Sequence, residues 1–286
     1  MTTLINGLAD VAGDYDVLLS DIWGVIHNGR ESFSVACDAL ARWRSENGPV
    51  VLISNSPRPT AGVVVQLDDL GVPREAWTSI VTSGDATRTL LAARSPGPAW
   101  RIGPERDDPL YEGLGLTYAP PHLARFIACS GPDDDDVETP EDYRLRLTEA
   151  AARGLEMVCA NPDRVVQRGD RLVYCGGALA ALYETLGGST IMAGKPFKPI
   201  YELALAAAAT ALGRPVDRRR ILVIGDGIIT DIGGAQGQGL DRLFVATGIH
   251  AAEAAGSDGR LTANGIDALL AQSGVSAQFA MGDLVW

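Results

Sequence analysis

The chain has few aromatic residues and few cationic ones, and it lacks any long apolar run. Aromatic residues make up 6% of its 286 residues, and 24 Lys and Arg stand against 36 Asp and Glu, for a net charge of −12. So acidic a chain repels phosphate backbones and anionic lipid heads, and no basic patch interrupts the pattern. No apolar run approaches the ~20 residues that a bilayer helix requires. We expect neither a nucleic-acid nor a membrane partner.

Cysteine is also scarce, and its spacing excludes a zinc site. The four cysteines lie in separate segments, with no C-x-x-C pair and no histidine cluster beside them. We therefore expect reduced, buried thiols. Residues 1–14 lack a positive cluster followed by an apolar stretch, so no secretion signal is indicated, and we expect a cytoplasmic protein.

Short apolar runs bounded by Gly, Ser, Asp or Asn recur along the chain. They are strand-length and show no polar alternation, which is typical of parallel strands covered on both faces. Segments with helical spacing lie between them, so the pattern predicts an α/β fold with a doubly wound, Rossmann-like parallel sheet. The predicted strands are 17–19, 50–53, 80–81, 221–224 and 243–245, and the predicted helices are 33–44, 60–70 and 200–212.

The strand–helix alternation lapses after about Ser83 and resumes near Gly194. Roughly a hundred residues are too many for a structureless loop, so they must fold as an insertion. The interval has apolar runs and helical stretches of its own, which predict a small α/β domain at 86–190 between core segments 1–85 and 191–286. The acidic run 133–136 is interpreted as a solvated loop before a helix at 139–153.

Polar residues follow three of the predicted strands, and a lysine precedes a predicted helix. Because ligands bind at the carboxyl ends of strands in open parallel sheets, polar groups collected there are better candidates for ligand-binding residues than other polar residues of the surface. Singly, each could be a helix cap or a turn. Together they form an anion-plus-Mg²⁺ set suited to phosphoryl transfer. The set comprises Asp21, Ser54 with Asn55, Lys195, and the segment 225–231 with Asp226 and Asp231.

With these motifs in this order, the chain resembles the haloacid dehalogenase superfamily, and specifically its class IIA branch of 4-nitrophenylphosphatase-like and nucleotidase-like phosphatases. The predicted insertion falls between the second and third motifs, where that branch carries a C2-type cap. The segments 161–163 and 176–178 also look like landmarks of that cap. The resemblance covers nearly the whole chain, and it implies an α/β core with an inserted cap.

The resemblance implies a role for each motif residue. Asp21 matches the nucleophile that becomes an aspartyl phosphate. Ser54 and Asn55 match the hydroxyl and amide groups that hold phosphate oxygens, and Lys195 matches the cation that neutralises charge around the nucleophile and the phosphoryl group. An anionic carboxylate approaches an anionic phosphate only when such groups offset their repulsion.

The last motif supplies the metal ligands that the resemblance implies. Asp226 matches a carboxylate that holds Mg²⁺, and Asp231 lies beside it as a direct or indirect ligand. The segment from Gly227 to Thr230 matches backbone that lies near the bound phosphate. Mg²⁺ is therefore the expected cofactor.

One residue departs from the family pattern. Most of the family's phosphatases have a second Asp two residues after the nucleophile, where it protonates the leaving alcohol, and here that residue is Trp23. An indole is not a useful acid or base near neutral pH, so roughly 10²–10⁴-fold of acid–base assistance is missing. The Trp23 carbonyl can still bind Mg²⁺, because main-chain ligation does not depend on the side chain.

Three interpretations of Trp23 stay open. The site selects leaving groups that need little protonation, such as acyl or aryl phosphates; another residue supplies the proton; or hydrolysis is lost and the site only binds phosphate. His27 is the nearest candidate donor, since Asn28-Gly29 is a favoured hairpin-turn pair and the family places a flap hairpin here, although a histidine simply packed or solvated on that flap is the more common case.

Substrate choice is expected to lie in the cap. The candidate contacts are Asn161, Asp163 and Tyr174, for which turn formation or packing is at least as good an explanation. Arg101, Arg144 and Arg168 could pair with an anionic substrate, but surface arginines are common and none is selected.

The sequence thus predicts a Mg²⁺-dependent phosphatase acting on a small phosphorylated metabolite. The alternative is a weakly catalytic phosphate-binding or regulatory module that has lost its acid and base. Carbon–halogen or carbon–phosphorus cleavage is not indicated. Relatives in this branch often pair through their caps, so a homodimer is possible.

Overall fold

The computed structural model describes residues 1–246 and 261–286, which form two compact units. The first unit comprises Met1–Ser54, Val64–Val81 and Tyr201–Trp286, without the residues that are not described. The second comprises Asn55–Val63 and Thr82–Ile200. The predicted boundaries of the insertion, 86–190, stay a prediction.

The first unit is built on a seven-stranded sheet. Its strand order is β1-β13-β12-β11-β2-β3-β4. Neighbouring strands are parallel from β1 through to β3 in this order. The strands are β1 Thr3–Leu4, β2 Val17–Ser20, β3 Val50–Ser54, β4 Ser79–Thr82, β11 Ile221–Gly225, β12 Asp241–Val245 and β13 Phe279–Met281.

Helices flank these strands in the chain. Strands β2, β3 and β11 are buried along their whole length, as continuous apolar runs in a doubly covered sheet require. Near the C-terminus, Ile266 and Leu270 pack with Phe244 and Ala280 in one apolar cluster. The helices are α1 Ser34–Glu46, α2 Thr60–Asp69, α6 Lys198–Leu212, α7 Gly234–Gly237 and α8 Ala263–Ala271; a π-helix, Ile228–Gly233, precedes α7.

The strand order reverses at the centre of this sheet. Strand β2 leads outward to β3 and β4 on one side, and its other neighbour is β11, from much later in the chain. The register pairs Ser20 with Ile224, so the two strands end side by side. Such a switch point leaves a crevice at the carboxyl ends of the strands, which is where ligands bind in open α/β sheets.

The second unit contains a four-stranded parallel sheet of order β10-β7-β6-β5. Alternate residues face opposite sides: Ile127 and Met157 join one apolar cluster, and Phe126 and Val158 join another. The strands are β5 Ala99–Ile102, β6 Phe126–Cys129, β7 Glu156–Cys159 and β10 Ser189–Met192; the helices are α3 Ser83–Ala92, α4 Arg144–Ala152 and α5 Gly176–Thr185. An antiparallel hairpin joins β8 Val165–Arg168 to β9 Arg171–Tyr174.

The predicted α/β class with a Rossmann-like parallel sheet is confirmed. All four cysteines are buried and free, as expected. None of the helices within 1–246 and 261–286 has the length and apolarity that a bilayer crossing needs. The helix predicted at 139–153 begins as a 3-10 turn, Pro140–Tyr143, before α4, because Pro140 fits the first turn after Thr139.

The interpretation of 133–136 as a solvated loop is wrong for one of its residues. The Asp135 side chain is only 8% exposed, and both Arg106 and Arg168 donate hydrogen bonds to it. A charge block is solvated only where no partner covers it, and here two guanidinium groups do.

Candidate active site

Three buried carboxylates meet in the first unit. Asp21, Asp226 and Asp231 are 8%, 5% and 1% exposed. One carboxylate oxygen from each lies within 4.8 Å of the others. Three negative charges this close repel one another strongly when buried, so the cluster suits a cation that offsets them.

The paired strands β2 and β11 place the first two carboxylates. Asp21 follows β2, and its N–H donates to the carbonyl of Ile224 in β11 at 2.8 Å. Its own Oδ1 accepts the N–H of Ile22 at 2.7 Å, which orients the carboxyl group. Asp226 directly follows β11, so both side chains emerge at the switch point.

Gly24 leaves space for the carboxylate of Asp226. Its φ is +86°, a conformation that favours glycine, and a Cβ at this position would overlap the carboxyl group of Asp226. A side chain at residue 24 would therefore displace a residue of the cluster.

Asp231 lies in the π-helix Ile228–Gly233. The wider turn brings its carboxylate back to the start of the segment, where Oδ2 accepts the N–H of Gly227 at 3.0 Å. The buried Tyr201 hydroxyl donates to the Thr230 carbonyl at 3.3 Å from the adjoining helix α6. Single π-turns of this kind are frequent at functional sites, and this one fixes the 227–231 backbone.

The donor set fits a hard divalent cation. Oxygen ligands alone suit Mg²⁺ or Ca²⁺, whereas zinc prefers nitrogen and sulfur. Asp21, Asp226 and Asp231 are the residues that would hold the ion. Ligation of the ion by the Trp23 carbonyl, the fourth expected ligand, stays a prediction.

The segment after Asp21 is a tight turn around His27. Gly24 donates its N–H to the His27 carbonyl at 2.8 Å, and the Gly29 N–H donates to His27 Nδ1 at 3.0 Å. The Trp23 and His27 rings meet edge to face, with centroids 5.0 Å apart. Burial lowers the pKa of His27 to about 4. The imidazole is therefore uncharged at neutral pH, and Nδ1 is already occupied as an acceptor.

In the second unit, the Asn55 side chain holds the backbone of Lys195. Asn55 Oδ1 accepts the Lys195 N–H at 2.7 Å, and Nδ2 donates to the Lys195 carbonyl at 3.0 Å. The same Nδ2 donates to Asp163 Oδ1 at 2.9 Å. Asn55 and Lys195 are 3% and 1% exposed. Since both donors of the amide group are used, Asn55 acts on the site by positioning Lys195.

Close packing fixes the same arrangement. A Cβ at Gly194 would lie 2.6 Å from Asn55 Oδ1 and would overlap Ser83, so the glycine lets the three segments meet. Ser54, the remaining expected phosphate-binding residue, is the last residue of β3 in the first unit and is 7% exposed.

The predicted substrate contacts of the second unit differ in setting. Asn161 is 9% exposed, and its Oδ1 accepts the Asp163 N–H at 3.1 Å, so this pair forms a turn beside Asn55. Tyr174 ends β9 and is 41% exposed. Each of the three arginines that were not selected is paired with an acidic residue: Arg101 with Asp108, Arg144 with Glu141, and Arg168 with Asp135.

Two features escaped the sequence reasoning. The role of Asn55 as an anchor for Lys195 joins residues 140 apart, and no local signal marks it. Arg58, four residues after Ser54, is partly buried in the same loop region as Asn55. Its position so soon after Ser54, a predicted phosphate-binding residue, was the sequence signal that could have identified this arginine as a candidate anion-binding residue.

Comparison with known proteins finds one family throughout. The family of haloacid dehalogenase-like hydrolases matches residues 18–117, and a second family description, HAD-hydrolase-like, matches residues 192–271. A haloacid dehalogenase-like hydrolase from Brucella suis 1330, known as a crystal structure, is 44% identical and covers 99% of this chain and 100% of its own, with a TM-score of 0.88.

Two more distant relatives have named activities. The crystal structure of glycerol phosphate phosphatase from Mycobacterium tuberculosis in complex with calcium is 26% identical, covering 86% of this chain and 70% of its own, with a TM-score of 0.60. The 5′-nucleotidase YutF of Bacillus subtilis is 25% identical over 89% of this chain and 96% of its own. The chain therefore belongs to the haloacid dehalogenase-like hydrolase family, in its class IIA branch.

Proposed function

We propose that the protein is a Mg²⁺-dependent phosphatase that hydrolyses a small phosphorylated metabolite through an aspartyl phosphate on Asp21. The observation that carries the proposal is the buried cluster of Asp21, Asp226 and Asp231 at the switch point of the sheet. Relatives named for glycerol phosphate, nucleotide and sugar phosphate hydrolysis support the substrate class. We also keep the cytoplasmic location as part of the proposal.

The reaction has two displacements at phosphorus. In the first, an Asp21 carboxylate oxygen forms a bond to phosphorus and the bond from phosphorus to the leaving oxygen breaks. An aryl or acyl oxygen leaves as an anion, whereas an alkyl oxygen needs a proton from water, because no side chain of the site supplies one. In the second, water attacks phosphorus, Asp21 leaves as a carboxylate, and inorganic phosphate departs. A bound Mg²⁺ ion supplies positive charge that offsets the repulsion between the carboxylate and the phosphate.

The protein's own groups have separate tasks in this proposal. Ser54 donates its hydroxyl to a phosphate oxygen, and the backbone from Gly227 to Thr230 lies along the bound phosphate. Lys195 offsets the charge of the phosphoryl group. Asn55 keeps Lys195 in place through the two hydrogen bonds to its backbone. In the second unit, Asp163 and Asn161 are the proposed contacts to the rest of the substrate.

Trp23 decides which leaving groups are hydrolysed well. With no carboxyl group at this position, an aryl or acyl leaving group departs without a proton, whereas an alkoxide does not. His27 is a poor substitute, because a group whose pKa is about 4 is not a charged acid at neutral pH. We therefore favour the explanation in which the site selects leaving groups of low basicity.

The first test measures Mg²⁺-dependent release of phosphate from 4-nitrophenyl phosphate, acetyl phosphate and glycerol 3-phosphate. We expect turnover of the first two to exceed that of the third by far more than in a typical phosphatase. The Asp21→Asn variant should lose turnover on all three. Equal rates on all three compounds would contradict the leaving-group explanation.

The second test restores the missing acid. Trp23→Asp should raise kcat for the alkyl ester by about 10²-fold or more and change the aryl ester little, since only the alkyl ester needs the proton. Trp23→Phe is the matched control, because it alters the ring packing against His27 without adding an acid. A gain that is equal for both esters, or shared by the control, would refute the assignment.

The alternative function is a phosphate-binding module with feeble turnover. It is favoured by one observation, the uncharged His27 beside an indole where the family has an acid. Tight Mg²⁺-dependent phosphate binding by calorimetry, with no turnover of any of the three compounds, would establish this alternative in place of the phosphatase.

A further inference from the structure

Arg58 lies in a loop that is fixed beside Asn55. The Gly84 N–H donates to the Ser56 carbonyl at 3.0 Å, and Gly84 itself has no room for a Cβ against the carbonyl of Pro57. Both belong to the second unit, as do Asn55 and Lys195. Arg58 is three positions after Asn55, so their Cα atoms are at most about 11 Å apart. The backbone of Arg58 thus follows closely on the residue that anchors Lys195, and its guanidinium lies beside Asp107.

The Arg58 guanidinium has an unusual shortage of partners. Its side chain is 29% exposed, and its ion pair with Asp107 is 3.8 Å long between Nε and Oδ1, beyond hydrogen-bond distance. Within residues 1–246 and 261–286, its side chain donates no hydrogen bond. A guanidinium has five N–H donors in a planar fork, and partial burial removes much of their hydration.

Nearby charges do not compensate Arg58 fully. Arg106 and Arg168 both donate to Asp135, so that carboxylate is committed to two other cations. Burial raises the pKa of Asp107, and burial with the two neighbouring arginines lowers the pKa of Arg58. Asp136 is likewise committed to other cations, because it lies 3.5 Å from Arg168 and 3.4 Å from Arg171. Four guanidinium groups thus face three carboxylates in this cluster, and only Asp107 is paired with Arg58.

We propose that Arg58 binds a second anionic group of the substrate, a carboxylate or a second phosphate, so that the preferred substrates are phosphate esters that carry another acidic group. The inference rests on the proposed function, because it places this group on the same molecule as the phosphate. A planar guanidinium fork matches both anions in a bidentate geometry.

Two pairs of esters differ in only this second anion. The first pair is 3-phosphoglycerate and glycerol 3-phosphate, which test a carboxylate. The second pair is fructose 1,6-bisphosphate and fructose 6-phosphate, which test a phosphate. We expect kcat/KM for the doubly anionic member of one pair to exceed that of its partner at least about tenfold, and the preferred pair identifies the anion.

Variants of Arg58 should erase this preference. In Arg58→Gln the kcat/KM ratio within the preferred pair should fall at least about tenfold, and Arg58→Lys should retain part of it as a point charge. Arg144→Ala is the matched control, because Arg144 is an exposed arginine of the same unit paired with Glu141. The control should keep the ratio. Equal kcat/KM within both pairs, or a ratio that Arg58→Gln leaves unchanged, would overturn the inference.

A binding measurement separates this inference from the proposed function. If no ester is hydrolysed, the phosphatase proposal fails, and the inference is judged by calorimetry with the same four compounds. Binding of the doubly anionic member at least about tenfold tighter in one pair, lost in Arg58→Gln, would sustain it. Equal binding within both pairs would overturn it.

Discussion

Removing the Asn55 side chain tests how the second unit holds Lys195. In Asn55→Ala, the Lys195 N–H and carbonyl lose partners at 2.7 and 3.0 Å, and Asp163 loses one at 2.9 Å. Each buried group left unsatisfied costs about 1–3 kcal/mol, reduced where water can enter. We expect the free energy of unfolding to fall by about 2–4 kcal/mol, measured by urea denaturation followed by circular dichroism.

The matched control is Asn47→Ala. Asn47 is an exposed asparagine whose Nδ2 donates one hydrogen bond to the carbonyl of Ala12, so its loss should cost at most about 1 kcal/mol. A loss below about 0.5 kcal/mol in Asn55→Ala would refute the anchoring role. So would a loss no greater than that of the control.

The isosteric change Asn55→Asp adds a pH-dependent signature. A carboxyl group there keeps an acceptor for the Lys195 N–H, but once ionised it faces the Lys195 carbonyl and the Asp163 carboxylate without donors. The folded state would raise the pKa of the new group above its unfolded value of about 3.9. Stability should therefore be greatest below that value and fall as the pH rises. A variant with the pH profile of the wild-type protein would count against the hydrogen-bond assignment.

Two further predictions concern residues of the first unit. Gly24→Ala should lower the free energy of unfolding and also abolish the rise in melting temperature on adding Mg²⁺, because the new Cβ overlaps Asp226. Gly71→Ala is the control, because Gly71 has a φ of +72° but open space around it; it should lower the free energy of unfolding by about 1 kcal/mol and keep the Mg²⁺ response. Since burial lowers the pKa of His27 from 6.5 to about 4, its neutral form stabilises the metal-free protein above pH 6.5, and about 3 kcal/mol of that stability should be lost as the pH falls toward 4. Urea titrations of the wild type and His27→Asn at several pH values check this, and parallel pH profiles would contradict it.

The strand ends could be predicted because their signals are local. An apolar run such as 221–224 followed at once by Gly225 and Asp226 marks a buried strand with a polar end, and the parallel order of such runs brings the ends to one edge. Predicting where Asp21 and Asp226 lie needed no knowledge of distant contacts. In the insertion, the apolar runs 126–129 and 157–159 likewise lie in strands, β6 and β7.

Features that depend on distant partners were beyond the sequence. The hairpin at 165–174 was not predicted, because its apolar runs, 165–166 and 172–174, are short and most of its residues are at least partly exposed. The burial of Asp135 depends on arginines 29 and 33 residues away. The low pKa of His27 depends on the walls of its pocket, which the turn sequence Asn28-Gly29 does not specify. In each case the partner, and not the residue type, determines the environment.

Trp23 and the buried His27 have a joint consequence for the chemistry. Neither side chain provides a charged acid at neutral pH, so in the proposed mechanism the first displacement depends on charge neutralisation and on the leaving group. In an enzyme without a general acid, tight binding of the substrate is especially important for the rate, because binding energy from groups remote from phosphorus can be used to orient the reacting atoms. A second anion bound at Arg58 would supply such binding energy. The proposed specificity therefore has two parts. The missing acid near Asp21 favours leaving groups of low basicity, and the guanidinium of Arg58 in the second unit favours substrates with a second anion.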